Sequence, residues 1–501
     1  MASVVVQRCR ASEAARFFAS SVPIFLVDFI KLAVITITTM KVGRALSTTA
    51  LAGASMGALC FNVAGNMIAS APLAAMETIA PQAFGAGNPV GVGLASQRAF
   101  LLAVLFLLPT LPVWIYAEDI MVALGQPPGV AEFGKTYMRL LAPGLLPFLT
   151  FEIARKFVYA QECTRIPPLV AAGVGLCTHF GWLELWCRSI GVAHGAPIAL
   201  SCTYLTMALI LVVLIAWRVP RAVDAWPRHA HTQRLLWTDL AGWRHFFSTS
   251  AAALLTLTEW LFWEVTAFRV GRFGTVPFAA YSVAYNIEPV LFMLPLGLST
   301  ALSNAVGNHL GAGRPAAARR IAVTALGLGV VVVAVYTSLI LAIGYPIATL
   351  FSGDDEVLHA ASDLWPAFCT FLATSGPFAM LLGLIRGLGL QRPFAIIVAT
   401  ILWPVGAGLV IGVAKDPSQV WLCLTCTYWI LITCLSLLAY CSSWQRLSDV
   451  AIAANANAVA KSGLPDLEPA TMTEIRSSTN SAASGGGLAA TDASAASRES
   501  L

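Results

Sequence analysis

Charge is scarce in this chain. Lysine, arginine, aspartate and glutamate make up 11% of its 501 residues, where soluble domains average about 25%. That deficit excludes a surface facing water all round. The net charge of +5 is modest for this length and gives no argument for a nucleic-acid partner. The eleven cysteines are scattered through apolar runs and read as small packing residues, not as a disulfide or zinc framework. No nucleophile constellation, metal cluster or phosphate loop stands out, so no enzyme, no bound metal and no resident cofactor are expected.

What is present is apolar length. The chain is 58% hydrophobic with a mean hydropathy of +0.76. Runs of about 20 apolar residues, enough to cross a bilayer as helix, follow one another between 17 and 443. We count about twelve. The runs lack the alternation of a membrane barrel, so the expected fold class is an all-α integral membrane protein. Two spans, near 48–80 and 276–302, exceed the bilayer and should tilt or protrude. Arg8, Arg10 and Arg16 precede the first span. They resemble a signal peptide, but the run that follows is too long and carries Asp28 and Lys31, so it reads as a retained helix.

Orientation follows the basic residues of short connections. Arg218, Arg221, Arg228, Arg234 and Arg244 follow the sixth span, and Arg314, Arg319 and Arg320 the eighth. Asp354, Asp355 and Glu356 mark the other side, while Lys41, Arg44, Arg269 and Arg272 run against the bias. Both termini are then cytoplasmic. The resulting organisation is an N-terminus (1–16), a first lobe (17–218), a basic linker (219–243), a second lobe (244–443) and a Ser-, Ala- and Gly-rich tail (444–501) expected to be disordered.

The two lobes repeat. Gly85-Ala86-Gly87-Asn88-Pro89 after the second span matches Gly311-Ala312-Gly313-Arg314-Pro315 after the eighth. The same offset lays the first span on the seventh and pairs "AQECTRIPP" with "GLGLQRP". Two six-helix bundles of like orientation imply an axis along the membrane normal, with a binding site between the bundles. Gly85, Gly87, Gly311 and Gly313 are expected to serve conformation, ending their helices in tight turns.

With these stretches in view, the chain resembles the multidrug and toxic compound extrusion (MATE) family, in its eukaryotic branch. "METIAPQAFGAGN" (Met76–Asn88), "AQECTRIPP" (Ala160–Pro168), "TEWLFWE" (Thr258–Glu264), "PLGLSTALSNAVGNHLGAG" (Pro295–Gly313) and "GLIRGLGLQRP" (Gly383–Pro393) carry the resemblance. It implies a secondary transporter of twelve helices in two bundles, exporting organic, often cationic, compounds against protons or sodium. The acid of the family's Glu-Trp-Trp motif falls on Glu259, and the next acid on Glu264. Asp28 stands where many bacterial members carry a coupling aspartate. Asn286 stands where many relatives have a glutamate, and Ser375 where animal members have an acid in the tenth helix. Thr178 and Trp182 stand where asparagines are frequent.

Physical chemistry supplies the rest. An acid at membrane depth costs about 2.5–3.5 kcal/mol on insertion scales, so it faces a wet cavity or a partner. Glu259 shares a helical face with Thr256 and Trp263, and Trp263 and Trp260 offer π surfaces to a cation. Glu264 lies about 140° away around the helix. Asp28 has Lys31 at i+3, which either fixes it in an ion pair or snorkels and leaves it free. Glu288, one turn after Tyr285 and just before Pro289, is a candidate substitute for the missing acid, though about 200° from Asn286. Glu77 and Gln82 read as structural, His179 as a hydrogen-bonded interior histidine or a proton relay. Trp182, Glu184 and Trp186 either remake the pocket or face lipid.

The expectation is therefore a monomeric antiporter in a plasma or vacuolar-type membrane, its partners the lipid bilayer and a small organic substrate. It exchanges an amphipathic, cationic compound for protons, or for sodium in their place, by alternating access. A lipid-linked substrate flippase of the same superfamily and a non-transporting scaffold or receptor are the alternatives.

Overall fold

Apolar helices of bilayer length dominate the structure, a computed structural model that describes residues 2–165, 167–227, 230–256, 258–349 and 354–462. In the first half, α1 (Ala2–Ala45) is followed by α2 (Thr48–Phe61) and α3 (Ile68–Gly85), one long span joined through a π-helical turn at Asn62–Met67. Then come α4 (Pro89–Leu107), α5 (Pro128–Leu141), α6 (Leu145–Ala160), α7 (Pro167–Ile190) and α8 (Val192–Arg218). Two short helices, α9 (Pro220–Ala225) and α10 (Ala230–Thr238), lead into the second half.

There, α11 (Leu240–Thr256) and α12 (Thr258–Gly271) make up one span on either side of Leu257. They precede α13 (Thr275–Gly311), α14 (Pro315–Ala342) and α15 (Asp355–Leu388). A second π-helical turn, Leu402–Ala407, joins α16 (Gln391–Ile401) to α17 (Gly408–Gly412), and α18 (Pro417–Cys441) and α19 (Trp444–Ser462) complete the described chain. Ten of these helical stretches are long and apolar enough to cross a membrane. The α5–α6 and α11–α12 stretches bring the crossings to the twelve of a two-bundle fold.

Local sequence sets the ends. Ser47 caps α2, Asn88 caps α4 and Asp416 caps α18, each through its side-chain oxygen. The second glycine of each Gly-Ala-Gly run takes a left-handed conformation, φ 74° at Gly87 and 69° at Gly313, which side chains disfavour. The first glycine does something else. A Cβ on Gly85 would lie 2.0 Å from the carbonyl oxygen of Asn308, and one on Gly311 would lie 2.0 Å from that of Gln82. Each helix thus presents its glycine to the backbone three residues before the other's. Only a hydrogen at Cα permits that approach.

The repeat axis passes nearby. Ser303 stands 226 residues after Glu77, the offset of the repeat, and its hydroxyl donates to the Glu77 carbonyl at 3.2 Å. Across this junction α3 and α1 pack against α13, while α3 also meets α11 and α15.

One expectation needs correcting. The tail does not lose structure at 444: α19 runs to Ser462. Trp444, Leu447, Ser448 and Ala451 recur at helical spacing, and Ser448 and Ala451 are fully buried. The remainder of the tail, 463–501, lies outside the described residues, as does Arg228.

Candidate functional site

Four helices of the second half converge on an aromatic box with acids set into it. Glu259, Trp263 and Glu264 come from α12, Tyr281, Tyr285 and Glu288 from α13, Phe371 from α15, and Trp421 and Tyr428 from α18. The Tyr428 hydroxyl donates to the Glu259 carboxylate. The Trp263 ring lies 5.3 Å from Phe371, 6.2 Å from Tyr285 and 6.5 Å from Tyr428, each edge-on. Tyr285 reaches Glu264 at 3.4 Å. Trp421 stacks on Tyr281 at 5.1 Å, and the indole N–H and phenol O–H of that pair are buried without a hydrogen-bond partner.

Glu288 is 8% exposed and lies within electrostatic reach of Glu259 and Tyr428. Among the described residues it has neither an ion pair nor a hydrogen-bonding side chain. A buried carboxyl in that condition is costly. Polar groups left so exposed to cost mark a place where something else binds or a proton comes and goes.

The structure divides the predicted set. Glu259, Glu264, Glu288, Trp263 and Tyr285 come together. Trp260 is 55% exposed and points away from the box, so the π surface expected of it falls to Trp421 and Phe371 instead. Asn286 is exposed and donates to its own helix at Ser282. Ser375, at the absent acid's position, is buried and bonds to the Leu372 carbonyl.

Asp28 is not free. Arg155 and Lys31 each hold it at 2.8 Å, and the same two cations hold Glu152 at 2.6 Å. The quartet is electrically balanced and buried in the first half. Next to it Glu77 takes Lys156 from α6 and, across the junction, Arg386 from α15. Thr78 donates to the Arg386 carbonyl at 2.6 Å, Gln82 to that of Gly387 at 3.1 Å, and Gln391 back to Ala74 at 3.2 Å. Together these bonds form a polar seam that closes the two halves at the end bearing the Gly-Ala-Gly turns. Glu77 and Gln82 are both members of this seam.

His179 is buried between Thr203 and Thr38 at 2.7 and 3.1 Å, a satisfied interior histidine. Trp182 donates to Thr206, and the half-exposed Glu184 pairs with Arg188 and Lys41, so these side chains are engaged within the first half, away from the aromatic box. Sequence reasoning missed Glu152, Arg155, Lys156 and Arg386. Three charges at i, i+3 and i+4 in the apolar fourth span were the available signal.

Comparison with known proteins follows the same outline. The MatE family profile matches residues 23–181 and 251–410, one stretch in each half. An uncharacterized transporter of Schizosaccharomyces pombe is 30% identical over 68% of this chain and 63% of its own length. The multidrug and toxin extrusion protein 1 of Danio rerio is 30% identical over 75% of this chain and 61% of its own. The chain thus spans about three fifths of those two relatives. The probable multidrug resistance protein NorM of Bradyrhizobium diazoefficiens is 30% identical over 78% of this chain and 84% of its own. Among solved structures, the eukaryotic MATE transporter AtDTX14 superposes with a TM-score of 0.80 at 20% identity, covering 89% of this chain and 99% of that one.

Proposed function

The chain belongs to the MatE family, and from that premise we propose that it is a secondary active antiporter exporting amphipathic organic cations in exchange for protons. The observation that carries the proposal is the contrast between two sets of buried acids. Among the described residues every buried acid of the first half is matched by a cation: Asp28 and Glu152 by Lys31 and Arg155, Glu77 by Lys156 and Arg386. In the second half, among the described residues, Glu259 is hydrogen-bonded by a tyrosine hydroxyl and has no ion pair, with Arg386 only within electrostatic reach, and Glu288 has no hydrogen-bonding or ion-pair partner. Charge on those two groups therefore invites a cation from solution.

The cycle follows. Charged Glu259 and Glu288 attract a flat cationic compound, which the edges and faces of Trp263, Tyr285 and Phe371 hold. Protons taken from the far side cancel the charge and release it. Because protons and cargo compete for the same carboxylates, their binding biases two arrangements of the halves, the arithmetic of alternating access. The seam at Glu77 and Arg386 closes the Gly-Ala-Gly end, and the bias of the basic connections supports a cytoplasmic reading of that end. Asp28, fixed between two cations, takes no part in the exchange. The basic side chains at the junction are committed to carboxylates, which argues against a phosphate-bearing lipid cargo.

The test is uptake of a fluorescent organic cation into vesicles under an imposed pH gradient. Glu259→Gln is expected to lower gradient-driven uptake about tenfold or more, the loss of one charge-assisted contact of about 1.5–3 kcal/mol. Uptake equal to that of the unchanged protein overturns the assignment.

A further inference from the structure

The C-terminal helix α19 touches both halves at the same end. On the second half its grip is firm. Ser448, fully buried, donates to the Leu310 carbonyl at 2.7 Å, in the last turn of α13 before its glycine pair. The Ile452 side chain lies 3.3 Å from where a Cβ on Gly313 would stand. Trp444 ties the start of the helix to the end of α18 through a bond to the Ala439 carbonyl.

On the first half the hold is lighter. The Asn88 amide donates to Asn455 at 3.3 Å, and α19 packs against the ends of α3 and α4. Asn88 is fitted for this second task. Its carbonyl oxygen already caps α4 by accepting from Gly91 at 2.8 Å, which leaves its amide to face outward. Asn455 is oriented in turn, because its own amide donates to Ala451 at 2.8 Å. The oxygen of Asn455 is therefore the part turned to Asn88.

So one helix engages both members of the repeated turn, each by a different residue. Those turns end the two helices, α3 and α13, whose glycines meet at the crossing, and they are the points that move apart when the halves separate there. We infer that α19 is a clasp: it travels with the second half and must release Asn88 before the Gly-Ala-Gly end opens. This rests on the alternating-access reading above. It adds a barrier that the seam of Glu77 and Arg386 does not supply, set by a segment outside both bundles.

The experiment reads distances and needs no cargo. Full-length protein in lipid nanodiscs carries spin-labelled noncanonical residues at exposed Phe100 of α4 and exposed Val330 of α14, reporting separation of the halves. A second pair at Phe100 and exposed Ala453 reports α19 against the first half. Both pairs are expected to show a short and a longer distance in the same proportions. Asn455→Ala is expected to raise the longer population about three- to tenfold, the effect of one net hydrogen bond. Asn455→Asp keeps the accepting oxygen and should stay near the unchanged protein. If the halves separate while Asn455→Ala leaves the proportions unaltered, the clasp falls and the exchange reading stands. If the Phe100–Val330 pair holds one distance at every pH, both fall together.

Discussion

Two carboxylates of similar depth behave oppositely, and the difference lies in their neighbours. Asp28 and Glu152 share Lys31 and Arg155 within 2.8 Å. Removing one acid from such a quartet leaves two buried cations sharing a single carboxylate, one positive charge uncompensated, where breaking a buried pair outright costs about 3–5 kcal/mol. Asp28→Asn should therefore lower the melting temperature of the detergent-purified protein, while the fraction that folds keeps its response to a pH gradient. A change in the gradient response without a loss of stability would show the reverse assignment. The cross-helix part of this pairing could not be read in advance, because those partners stand 121 and 127 residues apart. Sequence showed only Lys31 one turn from Asp28, and that left both outcomes open. For Glu259 the motif placed the residue, but its closest contact, Tyr428, is 169 residues away.

Helix ends and crossings were more legible, since their causes are local or repeated. Gly-Ala-Gly in matching positions announced two equivalent turns, and the left-handed angles at Gly87 and Gly313 are those turns. That the first glycine of each pair serves a crossing was beyond the reach of spacing alone, because it depends on where another helix passes. The two roles separate by substitution. Gly85→Ala puts a methyl group into the Asn308 carbonyl, and overpacking of that kind costs about 1–3 kcal/mol. Gly87→Ala meets open space and should cost about 1–2 kcal/mol through its backbone angle. Both variants are therefore destabilised in thermal melts. Only Gly85→Ala should also shift the Phe100–Val330 spin-label distances toward separation, since only it lies in the crossing. The helical face of Trp260 was misjudged for a related reason: a helix with apolar residues on all sides gives no periodicity to say which side faces the box.

At the scale of the molecule, the two-bundle plan was visible from hydropathy and the repeat, and the structure adds where the bundles hold each other. Their polar contacts gather at one end, around Glu77, Thr78, Gln82, Arg386 and Gln391. Among the described residues Arg386 is the cation that reaches across to Glu77, whereas Lys156 reaches it from within the first half. Arg386→Gln leaves Glu77 neutralised by Lys156 but removes a charge-assisted bond worth about 1.5–3 kcal/mol. The separated population in the same spin-label measurement should rise by at least about tenfold. A proportion unchanged from that of the parent would place the closing force elsewhere in the seam.

The reciprocal fit of Gly85 and Gly311 has a consequence for descent. Each occupies room that the other's helix leaves vacant, so the two positions form one steric unit although they lie in separate copies of the duplicated segment. A bulkier residue arriving at either would force the same gap open. Lineages that tolerate a side chain at one of them should have relaxed the other as well, and an alignment of relatives should show the pair drifting in company, never singly.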